Sequence, residues 1–250
     1  MRIRHLLGAC LTLIAVWEAI VILADLPHFI LPGPLRVAEA MWRSRALIAE
    51  HAAITLTEVL LGLAIGAILG AATAIGLALS PRLRALLQPI LVFSQAVPVF
   101  ALAPILTLWL GYGLWSKVFM AVLIIYFPVT SAFFDGLMRT PQGFLDMAKV
   151  MGASRGAIMR RIRIPAALPA LGTGLRLGAV YAPIGAVIGE WVGSSNGLGY
   201  LMLLANGRAK IDLMFAAVIV LGALSVTLYV TIDFVSRRFA EGRGGGDASP

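Results

Sequence analysis

Apolar residues fill this chain in six long blocks, roughly Leu6–Leu26, Ile54–Leu79, Leu86–Leu110, Trp115–Leu137, Ala170–Val192 and Leu213–Val235. Each approaches or exceeds the ~20 residues that a helix needs to cross the ~30 Å hydrocarbon core of a bilayer. Most of the charged residues gather between the blocks. The pattern predicts an all-α, polytopic membrane protein with six transmembrane helices. Between the first two blocks, Leu31-Pro32-Gly33-Pro34 predicts a rigid turn. Beyond it, Leu35, Ala38, Trp42, Ala46 and Ala49 recur at helical spacing. That spacing fits a short amphipathic helix on the outer surface, or a plain linker.

Composition narrows the picture to one membrane domain. The 250 residues are 60% hydrophobic and 13% charged, with a mean hydropathy of +0.94. Soluble domains carry about 25% charged residues. Residues 1–239 are expected to form a single domain, with no room for a separate soluble one. Residues 240–250, Gly-rich and polar, are expected to be a disordered tail. The net charge of +8 does not point to nucleic acid, because the basic residues sit between apolar blocks. There they act as the orientation signal of a membrane chain. With the N-terminus inside, 13 of the 20 Lys and Arg fall in cytoplasmic segments and six in outer ones. Both termini are therefore expected in the cytoplasm. Arg2 and Arg4 open the first apolar block, which reads as a retained span rather than a cleaved signal peptide. The single cysteine, Cys10, reads as a span residue and excludes an internal disulfide framework.

Several features lie inside the expected spans. Gly62, Gly66 and Gly70 stand four apart and share one helix face, as do Gly174 and Gly178, and then Gly185, Gly189 and Gly193. Such stripes let another helix approach closely, either within one subunit or across a dimer interface. Pro98, Pro104, Pro128 and Pro183 interrupt spans, and each removes a backbone donor. Freed carbonyls in a membrane need protein or a water-filled cavity. The prolines thus mark either a pathway or kinked packing. Among ionisable residues, Glu18, Arg176 and Glu190 stand out. Gln95, Pro98, Tyr126, Glu190 and Trp191 are candidate translocation-path residues. After the fifth block, Asn196-Gly197 is a turn signal in a segment that suits an external gate, a docking surface or an ordinary loop. The chain has no HExxH and no phosphate-loop motif. Its three histidines share no metal-ligand spacing, so no metal site and no nucleotide hydrolysis are expected of it.

The segment DMAKVMGASRGAIMRRIRIP, Asp146–Pro165, is the polar exception. Pro141 suits a helix start, Asp146 an early turn and Gly152 a helix end. A second, basic helix is expected over Ser154–Arg163, stopped by Pro165. Two short helices joined at a glycine make a knob fixed to two spans, within a loop bounded by residues 138–168.

This segment resembles the motif of permease subunits of bacterial ATP-binding-cassette importers. That motif reads E-A-A, three residues, Gly, nine residues, Ile, one residue, Leu-Pro. Asp146-Met147-Ala148 stands at its start, Gly152 at its glycine, and Ile162 with Ile164-Pro165 at its end. The departures are Asp for Glu, Met for Ala and Ile for Leu. The resemblance implies the type I importer permease fold and a coupling helix that enters a cleft of an ATPase subunit. It also implies a homodimer, two cytoplasmic ATPases that bind ATP and Mg, an external solute-binding protein and a bacterial inner-membrane location. No cofactor is expected on this chain. LPGPLRV near residue 31 and SQAVPVFALAPILTLWLGYGLWSKV are similar to the sulfonate, taurine and nitrate permease group. IGEWVGSSNGLGYLM is similar to permeases for thiamine-precursor pyrimidines and related riboflavin importers. The expected solute is accordingly a pyrimidine or riboflavin-like molecule, with a sulfonate, taurine or nitrate as the alternative. A stand-alone secondary transporter would need internal repeats or several intramembrane charges, and a membrane enzyme would need a catalytic set.

Overall fold

The protein is described here by a computed structural model covering residues 2–241, and every element in it is a helix. Most of the tail expected from residue 240 lies outside the described residues, as does the side chain of Cys10. The order is α1 Arg2–Leu23, α2 Pro34–Arg43, α3 Arg45–Leu79, α4 Pro81–Ala96, α5 Val99–Leu110 and α6 Leu114–Met138. Then come α7 Gln142–Val150, α8 Arg155–Ile158, a π-helical turn Met159–Arg163, α9 Ile164–Gly193, α10 Leu198–Gly207 and α11 Ile211–Glu241.

Among the described residues four helical runs are long and apolar enough to cross a membrane, and the bent pair α4–α5 makes a fifth if taken as one span. The four are α3, α6, the continuous run from α8 through α9, and α11. The remaining expected span, α1, has its described apolar stretch at Leu11–Leu23, shorter than a full crossing.

The third block is not one straight helix. It breaks at Val97–Pro98, and α4 and α5 meet at 100°. Pro98 has no N–H and pushes the residue before it out of the helical region; Val97 is extended, at φ −80° and ψ 120°. The expected surface helix also differs. It divides at Ser44 into α2 and the first turns of α3. At 1.5 Å per residue the 35 residues of α3 reach about 52 Å, well beyond the ~30 Å apolar core. In α2, Val37 and Ala40 are buried, whereas Leu35 and Trp42 remain exposed. The stripe read from the sequence is thus the face left uncovered, and Val37 on the opposite side joins the core with Leu198, Leu201 and Ala216.

Helix α6 lies between α3 and α9, and glycines hold it from both sides. A Cβ added at Gly62 would stand 2.5 Å from the Ala121 Cβ, and at Gly66 or Gly70 it would stand 3.0 Å from Ile125 or Val129. From α9, Gly174 faces the Pro128 carbonyl at 3.0 Å, and Gly178 faces Ile125 at 3.0 Å. Gly185 would meet the Ala121 Cα at 2.7 Å. No side chain fits at such separations, so both glycine stripes act within one chain. Buried Val59, Leu63, Ala179, Ala182, Ala186 and Leu228 complete this core. Helix α1 is peripheral; its main ring contact is Trp17 stacked on Phe215 at 6.1 Å.

Candidate functional site

Three constructions stand out: a knob formed by α7, α8 and the π-turn, a polar cluster at the opposite end of α9, and a cavity between them. In the knob, Leu145 and Ala148 of α7 pack on Ile158, with Ala153 and Ile162 at the margin. Helix α7 ends in a Schellman motif. The Gly152 N–H donates to the Lys149 carbonyl at 2.9 Å, and the Ala153 N–H donates to the Ala148 carbonyl at 2.9 Å. Gly152 has φ +77° and nothing near its missing Cβ, so the glycine serves the left-handed backbone and not a close approach. Ser154 caps α8, its Oγ accepting from the Ala157 N–H at 3.2 Å. Packing takes one face of α7 and leaves the other apolar and bare. Phe144 and Met147 are exposed there, and beside them Val150 and Met151 are 89% and 78% exposed. Asp146 and Lys149 pair on this open surface at 2.8 Å.

Pro165 does not stop the second helix as expected; the helix runs through it into α9. A proline ring collides with the carbonyl four residues back in an α-helix, here that of Arg161. The π-turn just before it changes the register, and the Ile164 N–H donates to the Met159 carbonyl five residues back. That extra residue per turn makes room for the ring. Ile164 and Ala167 then join the core beside Phe133 and Leu137.

The polar cluster gathers Thr55, Glu58, Lys117 and Glu190, all nearly fully buried, and His51. The Thr55 hydroxyl donates to Glu190 Oε1 at 2.6 Å and accepts from the Leu198 N–H at 2.8 Å. The Gly199 N–H donates to Glu190 Oε2, and the Gly197 N–H donates to His51 Nδ1 at 2.9 Å. Lys117 Nζ stands 3.8 Å from Glu58 Oε1 and 3.5 Å from the Tyr112 carbonyl, to which it donates. Gly197 has φ +103°, and a Cβ there would run into the Glu190 carboxyl group. The loop 194–199 is therefore wrapped around a buried carboxylate, which ties it to α3. Such a cluster costs desolvation, offset here by the hydrogen bonds to Glu190 and the Lys117–Glu58 pairing, although Glu58 Oε2 has no hydrogen-bond partner among the described residues.

The cavity, of about 610 Å³, opens between α4, α5, α6 and α9. Gln95, Phe127, Pro128, Ser131, Asp135 and Tyr181 are among its walls.

The sequence matches the family described as "Binding-protein-dependent transport system inner membrane component" over residues 43–242. The chain belongs to that family. It is an ABC importer permease subunit, a multi-pass membrane protein. Over 227 residues the permease is 50% identical to a probable ABC transporter permease protein of Haemophilus influenzae, covering 91% of this chain and 93% of the relative. It is 34% identical to the formylaminopyrimidine transport permease protein ThiX of Halalkalibacterium halodurans, covering 89% of each. It is 37% identical to the riboflavin transport system permease protein RibX of Chloroflexus aurantiacus, covering 90% of this chain and 85% of the relative. Its fold is similar to a chain of the MetNI methionine ABC transporter, with TM-score 0.70 and 18% identity over 79% of this chain and 98% of that one. That likeness establishes the type I importer permease fold.

The five path candidates of the permease separate in space. Gln95 lines the cavity, and Pro98 is at the α4–α5 bend. The Tyr126 hydroxyl turns to α3 and donates to Thr73 Oγ1 at 3.0 Å. Glu190 is buried in the polar cluster. Trp191, its neighbour in sequence, lines a separate apolar groove with Phe100, Pro183 and Val218. Arg176 does not reach out of its span; it pairs with Asp233 of α11 at 2.8 Å. Glu18 lies beside the start of α2, its Oε2 3.3 Å from where a Cβ of Gly33 would be, a position favourable to a carboxylate. Sequence reasoning missed Glu58, Lys117, Asp135 and Asp233. The rule that flagged Glu190, a charge within an apolar block, applies to all four.

Proposed function

We propose that the permease works as a homodimer with two cytoplasmic ATPases and an external solute-binding protein, and that it imports a pyrimidine of the thiamine-precursor type or a riboflavin-like molecule. The knob is its ATPase-coupling element. One observation carries that reading: a compact two-helix unit, stopped by a Schellman motif, leaves Phe144, Met147, Val150 and Met151 exposed together, with no partner among the described residues. An apolar helix face of this kind fits a groove on a soluble protein. Its attachment to α6 and α9 gives groove movement a direct route to the spans. Asp146, Met147, Ala148 and Gly152 belong to the docking part, whereas Ile162, Ile164 and Pro165 anchor it. The excess of basic residues at the knob end and at both termini supports a cytoplasmic placement for all three.

The solute reading is supported by the identity to ThiX and RibX along nearly the full chain. ATP is consumed by the partner in this scheme, and the permease contributes the path. Cells expressing the permease with its ATPase and binding protein should take up a radiolabelled aminopyrimidine or riboflavin, and uptake should stop when the ATPase is inactivated. Uptake of an alkanesulfonate in preference to either ring compound would move the permease to the sulfonate and taurine group. Uptake by the permease alone would make it a secondary transporter.

A further inference from the structure

The cavity between α4, α5, α6 and α9 has an unbalanced electrostatic lining. Its polar walls are the Gln95 amide, the Ser131 hydroxyl, the Asp135 carboxylate and the Tyr181 phenol, and no Lys, Arg or His is among them. The Asp135 side chain forms no ion pair among the described residues. Two cations come near without balancing it. Arg139 stands one turn beyond Asp135, just past the end of α6, and the two do not pair. Arg176, next to Leu177 of the cavity wall, is held by Asp233 at 2.8 Å and by Thr173 at 2.9 Å.

A second acceptor comes from the backbone. Pro128 lies inside α6 and has no N–H, so the Ile124 carbonyl four residues earlier lacks its ordinary helical partner. Ile124 and Pro128 both line the cavity. A membrane-embedded carbonyl of this kind is tolerated where a cavity can solvate it. The walls therefore offer a carboxylate, an amide oxygen and a freed carbonyl, beside the rings of Phe127 and Tyr181. Low-dielectric walls focus the field of the one unpaired charge into the opening.

We propose that this cavity accepts neutral or cationic solutes bearing N–H donors and repels anions, with Asp135 setting the preference. Amino groups on a flat ring match the acceptors and the aromatic walls together; a sulfonate meets a like charge and no counter-ion. This deepens the solute reading above and rests on it, yet the charge preference can be measured without any solute.

The test removes the only cysteine by Cys10→Ala and adds Ser131→Cys in purified permease in lipid nanodiscs. The thiol is labelled in parallel with a trimethylammonium-ethyl and a sulfonato-ethyl methanethiosulfonate. Each rate is divided by the same reagent's rate with free cysteine. Positions four apart on a helix stand about 6 Å from one another. One charge at that distance, at an effective dielectric constant of ~40, speeds the cationic reagent and slows the anionic one by about tenfold each, so the normalised ratio favours the cation by about a hundredfold. Asp135→Glu should keep this preference, Asp135→Asn should bring the ratio to within about twofold of unity, and Asp135→Lys should reverse it. Should Ser131→Cys fail to insert, Tyr181→Cys supplies the thiol in the same cavity. Equal rates in the parent, a preference that survives Asp135→Asn, or no labelling by either reagent overturns the proposal. Uptake of an aminopyrimidine and of an alkanesulfonate is measured alongside. Charge-blind labelling with intact aminopyrimidine uptake sinks the cavity inference alone. A cation preference without aminopyrimidine or riboflavin uptake sinks the solute reading and leaves the cavity inference standing.

Discussion

The knob and the polar cluster are both short glycine-containing connections at helix ends, but they are held by opposite means. Every hydrogen bond that shapes the knob joins residues close in sequence: Gly152 to Lys149, Ala153 to Ala148, Ala157 to Ser154. The cluster is held across the chain, with Thr55 and Glu190 separated by 135 positions and Gly197 and His51 by 146. The knob leaves an apolar face bare, whereas the cluster buries charged groups. A locally built element can keep its shape while it moves as a body against a partner. A cluster assembled from three spans and a loop holds those parts in one arrangement. The permease thus joins a portable unit at one end of α9 to a fixed clasp at the other.

The largest test of this contrast is Glu190→Ala. It leaves the Thr55 hydroxyl and the Gly199 N–H without their acceptor and Lys117 and Glu58 without their neighbour. Losing one member of a buried charged network costs about 3–5 kcal/mol. Thermal unfolding in detergent should show a clear fall in Tm, and a change of less than about 1 kcal/mol would mean that the cluster is not a clasp. Gly62→Leu comes next. Its side chain would enter space already held by Ala121, and overpacking of this kind costs roughly 1–3 kcal/mol; reduced yield of folded protein and a lower Tm are expected. Gly152→Val should cost about 1–2 kcal/mol, because a β-branched residue is forced to φ +77°, where L side chains are disfavoured. The larger readout there is transport: uptake and solute-stimulated ATPase activity should fall while the protein still inserts. Asp146→Lys is the smallest in stability. It breaks an ion pair whose partners are 62% and 64% exposed, worth at most about 1 kcal/mol. Coupled ATPase activity should nevertheless drop, since the change reverses a charge on the docking face. Unaltered uptake and ATPase stimulation in both knob variants would remove the coupling role.

Legibility followed the same division. Gly152, Ser154 and Pro141 are local signals, and each marks an element end in the structure. Pro165 misled because a stop signal presumes α-helical register, and a π-turn absorbs the ring. The stripe of Leu35 and Trp42 is left uncovered by the protein, and its period did not reveal that Val37 and Ala40 on the other side are the buried ones. The glycine stripes declared a close approach without naming the neighbour. Only in three dimensions does α6 fill both grooves, through Ala121, Ile125 and Val129. Glu190 drew notice as an intramembrane carboxylate, yet Thr55, which donates to it, and His51, which accepts from Gly197 of the same loop, carry no mark of their role.

By itself the sequence determined the membrane class, the approximate spans and the outline of the knob. Hydropathy over ~20 residues, capping chemistry and proline geometry act over a few turns of chain and need no knowledge of neighbours. The tertiary structure alone decided which helix the glycines admit and that α4 and α5 meet at 100°. It alone brought Glu58, Lys117 and Glu190 together, paired Arg176 with Asp233, and left Asp135 facing a cavity without a counter-ion. These depend on contacts between residues tens to more than a hundred positions apart. Burial and charge pairing there are set by how whole helices pack, and no local pattern encodes that.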